Sequence, residues 1–454
     1  MIKIKSFSIY LSSLVLLVSS CSRDVNTEDP ILSDPLTEVS PETEGAEVYQ
    51  RSSSEAIAIA KSFLGATEDL RSIDDVQLSL DFVAPSSKRK LRATDGSSVT
   101  PVDTPLFIIN VPNEGGFFLV SGDTRMPDLL AAVEHGNLDK NNVDANTGLA
   151  VFLSRLPIYY ENRLKAGKDP IPGDHIDDPD HFGDWENYNL VYGEWQTSLD
   201  IKPLIKTHWH QGSPFNDQAP LIKGARAAAG CVNIAFAQLI AFHRKPDTFR
   251  GLTIDWELLT NTTKANQEPN RFKTMVASLC RKLGDATNTE WGLPEEGGSG
   301  AYSKDIPKIL SKEMGYSEPS SVLVFDKIGN SISRSISHSC PVVLSGMRDP
   351  YDAGWWIFKW KAYKSGHAWL VDGIFEQYRI ISIYKKKTGK LISTKDEHRT
   401  FLHCNWGWGQ EYDGYYEEGV FDSRHPAIKD DPNNFQENGG YYKYEITYIP
   451  FIKP

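Results

Sequence analysis

Gly230 and Cys231 head an almost unbroken apolar, alanine-rich run, Val232-Asn233-Ile234-Ala235-Phe236-Ala237-Gln238-Leu239-Ile240, which Pro246 stops soon after His243. Val232, Ala235, Phe236, Leu239 and Ile240 recur at helical spacing, so the run predicts a buried helix opening from a turn at Gly230. Such a helix must pack on another layer. Strand-like segments lie downstream at residues 341–345, 368–371 and 401–405. A helix followed by a sheet predicts an α+β fold with the helix laid on the sheet.

The placement of Cys231 has a chemical consequence. The positive end of a helix dipole and its unpaired N–H groups favour thiolate over thiol, which makes a sulfur held there attack-ready. His367 heads the apolar run Ala368-Trp369-Leu370-Val371, and Cys404-Asn405-Trp406-Gly407-Trp408-Gly409 follows. The chain order Cys231, His367, Asn405 or Trp406 supplies a nucleophile, a base and a group to orient the base. A cysteine in an apolar helix is ordinarily an inert core thiol. The glycine before it, the helix start and the downstream motifs favour the nucleophile. His208-Trp209-His210 could suggest a metal pair on one face of a strand, but no further ligands accompany them.

At the start of the chain, Lys3 and Lys5 precede an apolar stretch, residues 9–18, that is too short and serine-broken to span a bilayer. With Ser19-Ser20-Cys21 behind it, residues 1–21 read as a bacterial export signal ending in a lipobox, with Cys21 as the expected lipid anchor and cleavage without lipid as the alternative. Residues 22–50, acidic and poor in large apolar groups, read as a disordered tether. A first domain is expected over residues 51–165. It comprises a helix capped by Ser54, a hairpin of residues 107–111 and 117–121, and a helix over 149–164 kinked or restarted at Pro157. Residues 166–199, dotted with Pro170, Pro172 and Pro179, read as an exposed connector suited to cleavage, and residues 200–454 as a second domain. The balance of 48 basic and 60 acidic residues, net −12, argues against nucleic acid or an anionic membrane surface as partner. Cys231, Cys280, Cys340 and Cys404 are irregularly spaced and read as free thiols, with a Cys280–Cys340 pair as the alternative.

Gly230-Cys231-Val232, Ala237-Gln238-Leu239-Ile240, Gly366-His367-Ala368-Trp369-Leu370-Val371-Asp372-Gly373 and Asn405-Trp406-Gly407-Trp408-Gly409 resemble the streptopain family of papain-like bacterial cysteine peptidases. The resemblance runs from about Trp209 to the C terminus, with weaker matches at Gly297-Gly298-Ser299-Gly300-Ala301 and Met314-Gly315-Tyr316. Trp209-His210-Gln211-Gly212 is similar to the segment that carries the family's oxyanion-hole glutamine. The first domain resembles the family's prosegment and a related small inhibitor, most clearly at Phe117-Phe118-Leu119-Val120-Ser121-Gly122-Asp123.

The resemblance implies a papain-like peptidase domain, helix on antiparallel sheet, preceded by a small α+β propeptide domain. It implies Cys231 as nucleophile, His367 as base, Asn405 or Trp406 as its orienting group and Gln211 as oxyanion donor. It also implies protein or peptide substrates, an intramolecular prosegment that keeps a zymogen silent, and no cofactor or metal. Asn233 and Ala219 depart from the family pattern without touching these roles, and the basic run Lys385–Lys390 implies a hairpin insertion. Two other classes stay open: a different cysteine acyl-transfer enzyme, amidase or transglutaminase-like, and a non-catalytic inhibitor or binding lipoprotein.

Overall fold

The computed structural model describes residues 50–67, 78–83, 91–92, 98–99, 105–139, 147–165, 187–317, 321–325, 331–347, 366–422 and 446–454. The expected export signal, almost all of the tether, and connector residues 166–186 lie outside them. Helix α1 (Ser53–Thr67) buries Ala56, Ala60 and Phe63 along one face. Its cap is Ser52, two residues before the expected Ser54. Ser52 Oγ accepts from the Glu55 N–H at 3.2 Å, and Glu55 Oε2 accepts from the Ser52 N–H at 2.8 Å, a reciprocal capping box.

Strands β1 (Ser79–Val83), β2 (Leu106–Asn110), β3 (Phe117–Ser121) and β4 (Leu129–Val133) follow as antiparallel neighbours. The β2–β3 hairpin lies where the sequence places it. Helix α2 (Gly148–Lys165) continues through Pro157 as one helix. Leu149, Phe152, Leu153, Leu156 and Tyr160 are buried along it, and tertiary packing of that face offsets the hydrogen bond that proline cannot donate.

The described end of the expected connector forms two mostly exposed strands, β5 (Tyr188–Tyr192) and β6 (Gln196–Ile201). Helices α3 (Cys231–His243) and α4 (Pro269–Ala286) come next. The further strands of the main sheet are β7 (Leu323–Val324), β8 (Val342–Met347), β9 (Gly366–Lys385), β10 (Leu391–Asn405), β11 (Gly414–Glu417) and β12 (Ile446–Ile449). The long β9–β10 hairpin ends in the exposed basic tip, residues 386–390.

These twelve strands form one sheet, ordered β1-β2-β3-β4-β11-β10-β9-β8-β12-β7, with β5 and β6 pairing β9 beyond the end of β8, and three short two-stranded ribbons, 91–92 with 98–99, 221–222 with 225–226 and 248–249 with 252–253, stand outside it. The join between early and late segments is the antiparallel pairing of β4 with β11, Val133 opposite Gly414 and Ala131 opposite Tyr416. Both faces of the central strands are covered, which is why residues 367–375 of β9 are buried without alternation. On one face Ala368, Leu370 and Val343 share a core with Val232, Ala235, Phe236 and Leu239 of α3. On the other, Trp369, Val371 and Leu344 share one with Leu149, Phe152, Leu153 and Leu156 of α2. The sheet therefore lies between a helix from residues 50–165 and the helix that Cys231 begins.

Candidate active site

The turn that starts α3 is built for a cysteine at its head. Gly230 has φ of 91° and no side chain caps the helix, so glycine supplies a backbone shape that other residues adopt only with strain. A Cβ at Gly230 would also stand 3.3 Å from the Ser299 carbonyl oxygen. Asn233, fully buried, anchors the turn: its Nδ2 donates to the Ala229 carbonyl at 2.8 Å and to Thr289 Oγ1 at 2.9 Å, while Oδ1 accepts from Thr287 Oγ1. This accounts for a polar residue in the apolar helix.

Cys231 is the first residue of α3 and is partly exposed; His367 is the second residue of β9 and is buried. Burial pushes the Cys231 thiol up, but the adjacent His367 imidazole, by its charge and its hydrogen bond to the sulfur, outweighs that together with the Ala368 and Val232 N–H groups. The net result is a thiol held below the ordinary range. The other three cysteines go the opposite way. Burial raises Cys280 to about 12, raises Cys340, and lifts Cys404 well above its ordinary value. All four are free thiols, including Cys280 and Cys340.

His367 Nε2 lies 2.8 Å from the Trp406 carbonyl oxygen. A carbonyl only accepts, so Nε2 carries a proton and the other ring nitrogen, Nδ1, is left to face the sulfur. The ring also runs nearly parallel to Trp369, 13° between planes, and sits 6.2 Å from the Trp406 ring. Trp406, whose side chain is 1 % exposed, takes its position from Asp413, whose Oδ1 accepts the Trp406 N–H at 2.8 Å.

Asn405 stands next to this carbonyl but makes no bond to His367. Its Oδ1 accepts from Gln238 Nε2 at 2.9 Å and from the Gly407 N–H at 3.2 Å, and its Nδ2 donates to the Thr207 carbonyl at 3.2 Å. Gln211 belongs to the loop that meets the head of α3, where its carbonyl accepts from the Ala229 N–H at 2.9 Å. Its side-chain amide makes no hydrogen bond among the described residues. His208 and His210 lie in that same loop, not in the strand the sequence reading supposed. His210 Nδ1 accepts from the Gly212 N–H, while His208 lies 3.9 Å from Asp413. Among the described residues no group of three or more His, Cys, Asp and Glu is placed to hold a metal.

Two participants escaped the sequence reading. Gln238 lies seven residues after Cys231, two helical turns along the same face, and is fully buried. A long amide in an otherwise apolar run needs partners, and that was the available signal. Asp413 had none, since only the folded loop brings it to Trp406.

The peptidase C10 family profile matches residues 209–416. Streptopain of Streptococcus pyogenes is 24% identical over 354 residues, covering 68% of this chain and 73% of that protein. The thiol protease/hemagglutinin PrtT of Porphyromonas gingivalis is 22% identical over 400 residues, 80% of this chain and 38% of that protein. Among solved structures, a Prevotella intermedia prointerpain A fragment is similar, with a TM-score of 0.49 at 20% identity, covering 77% of this chain and 96% of the fragment. The profile match over residues 209–416 and these relatives support a streptopain-like cysteine endopeptidase.

Proposed function

We propose that Cys231 is the nucleophile of this peptidase and His367 its base, in an exported enzyme made as a zymogen. The observation that carries the assignment is the contrast among the four thiols: the one at a helix head beside an imidazole is held low, and the three in the core are pushed up. The Cys231 thiolate attacks the scissile carbonyl. His367 gives the proton to the leaving amine, then takes one from the water that releases the acyl group. The Trp406 carbonyl keeps the proton of the resting imidazole on Nε2 and stabilises the imidazolium. Gln211 and the Cys231 N–H donate to the oxyanion, where losing one donor costs about 3–4 kcal/mol of barrier.

Residues 51–165 act as the prosegment, in keeping with their likeness to a prosegment and inhibitor and with the β4–β11 join. Because Cys231 and His367 are already paired with that segment in place, latency acts on substrate access instead of on the pair. Cys21, outside the described residues, serves as the lipid anchor of the exported protein, and a Cys21→Ala chain should be released from the membrane fraction.

The test is iodoacetamide labelling of the full chain near pH 7, read by mass spectrometry, beside cleavage of a protein substrate before and after the connector is cut. Cys231 should label first, before and after the cut, and new amino termini should accumulate only after it. Cys231→Ala and His367→Ala should each abolish cleavage, since the pair acts as a unit. Preferential labelling of another cysteine, or cleavage surviving either change, defeats the assignment. Amide transfer without new amino termini would place the enzyme among the acyltransferases.

A further inference from the structure

Asn405 is placed to orient a catalytic histidine but does not touch it, and what it does touch defines a path. The Trp406 carbonyl and the Gly407 N–H belong to one peptide unit, which is planar and trans, so that its two polar groups point in opposite directions. The carbonyl points at His367 Nε2, 2.8 Å away, and the N–H points at Asn405 Oδ1, 3.2 Å away. Fixing one end fixes the other. Asn405 is in turn held in a closed ring of bonds: Gln238 Nε2 donates to Asn405 Oδ1 at 2.9 Å, Asn405 Nδ2 donates to the Thr207 carbonyl at 3.2 Å, and Thr207 Oγ1 donates to Gln238 Oε1 at 3.0 Å. Gln238 Oε1 also accepts the Trp209 N–H at 3.1 Å.

We infer that Gln238 is a positioning residue for catalysis, acting on His367 through Asn405 and the Trp406–Gly407 peptide. The inference deepens the proposed function and rests on its assignment of His367 as the base. Gln238 suits this task by its place. It projects from the helix that begins with Cys231, two turns along, so one rigid element sets the nucleophile at its head and, through this relay, the angle of the base's acceptor. The same amide fixes the entry to the Gln211 loop through Trp209. Because Gln238 and Asn405 are buried, 0 % and 3 % exposed, water is poorly placed to replace the lost bond. Bonds in series in a low-dielectric interior also polarise one another, so the carbonyl facing the imidazole is a better acceptor for being held this way.

The sharp perturbation is Gln238→Glu. It keeps the size of the side chain and an oxygen for Thr207 and Trp209, but turns the donor facing Asn405 Oδ1 into an acceptor. Gln238→Met, of similar shape and without either group, is the companion should the glutamate fail to fold. Hydrolysis of a short peptide amide by the processed full-length protein gives kcat and KM, and the pH dependence of iodoacetamide labelling of Cys231 gives the thiolate's stability.

The expected result is a kcat lower by about 10–100-fold, the range for removing a supporting hydrogen bond behind a site residue. KM should stay within about twofold, and the labelling midpoint should move to higher pH because a misaligned imidazole stabilises the thiolate less. A role confined to holding the fold would lower the melting temperature and leave both the kcat and the labelling profile as in the wild type. That outcome, in either folded variant, overturns the relay, as does a raised KM at unchanged kcat. A wild-type protein that neither cuts the peptide nor labels at Cys231 overturns the proposed function instead, and the relay with it.

Discussion

His403, on β10, joins two carboxylates that reach it from distant parts of the chain. Its Nδ1 is 2.7 Å from Asp372 Oδ1 on β9, and its Nε2 is 3.6 Å from Glu134 Oε2, just past the end of β4. Burial alone would push this imidazole down, but Asp372 and then Glu134 overcome it and raise His403 to about 10. The folded chain thus holds the proton more tightly than the unfolded chain does. Its contribution to stability is complete below the unfolded value of about 6.5 and is lost as pH rises through the folded one. A rise of about 3.5 units sets a ceiling of about 5 kcal/mol at 1.36 kcal/mol per unit. Between pH 7 and 9 the loss works out at about 2.5 kcal/mol, or about 3 °C of melting temperature for a body on the order of 400 residues. The assay is denaturant and thermal unfolding from pH 6 to 10 for wild type and His403→Gln, in which groups common to both cancel. The variant should be the less stable at pH 7, and the gap should close towards pH 10. A gap that stays constant across that range refutes the argument that a charged His403 stabilises this joint.

Gly148, the first residue of α2, has no room for a side chain: a Cβ there would lie 1.7 Å from a carbon of the Trp406 ring. Gly148→Ala should cost about 1–3 kcal/mol by overpacking and, by shifting Trp406, lower peptide turnover, to be read by melting temperature and kcat. Arg399 on β10 donates to Asp128 Oδ1 at 2.7 Å and to Gln377, with both ends of the ion pair largely buried. Arg399→Met should destabilise by about 3–5 kcal/mol because it strands a buried carboxylate, and adding Asp128→Asn should restore much of the loss in denaturant titrations.

What the sequence disclosed follows the range of each signal. Helical spacing in 231–243 and the two apolar runs flanking the turn at 112–116 are local, and both elements form where the pattern puts them. Ser52 took the cap from Ser54 because the reciprocal bond with Glu55 needs a spacing of three residues, a rule the sequence contains. The loop around His208 was misjudged as strand because two histidines flanking an apolar residue mimic alternation. The β4–β11 pairing was beyond reach, since nothing in Ala131 or Tyr416 names its partner across the chain. At the site, residue types and order placed Cys231 before His367. They could not show that the atom facing the imidazole would be the Trp406 carbonyl, because a backbone oxygen leaves no mark in an amino-acid sequence.

The joint between residues 50–165 and the rest constrains what the proposed latency can mean. β4 bonds to β11, and β11 to β10, the strand that ends at Asn405 and delivers the carbonyl facing His367. Behind that carbonyl, Gly148 closes on the Trp406 ring, Phe152 meets Tyr416 edge-on at 4.9 Å, and Arg155 donates to the Val420 and Asp422 carbonyls. If the early segment left, β11 would present an unpaired edge, and the Trp369–Trp406 face would lose its apolar cover. Cutting the connector removes a covalent tether and with it the high effective concentration it enforces, yet each of these contacts joins residues on the two sides of the cut without using the connector itself. If residues 51–165 are the prosegment, as proposed, cleavage and departure are different events: cleavage alone leaves the support behind His367 in place, and departure takes it away. In a nicked chain whose parts stay together, the arrangement of Cys231, His367 and Trp406 described here persists.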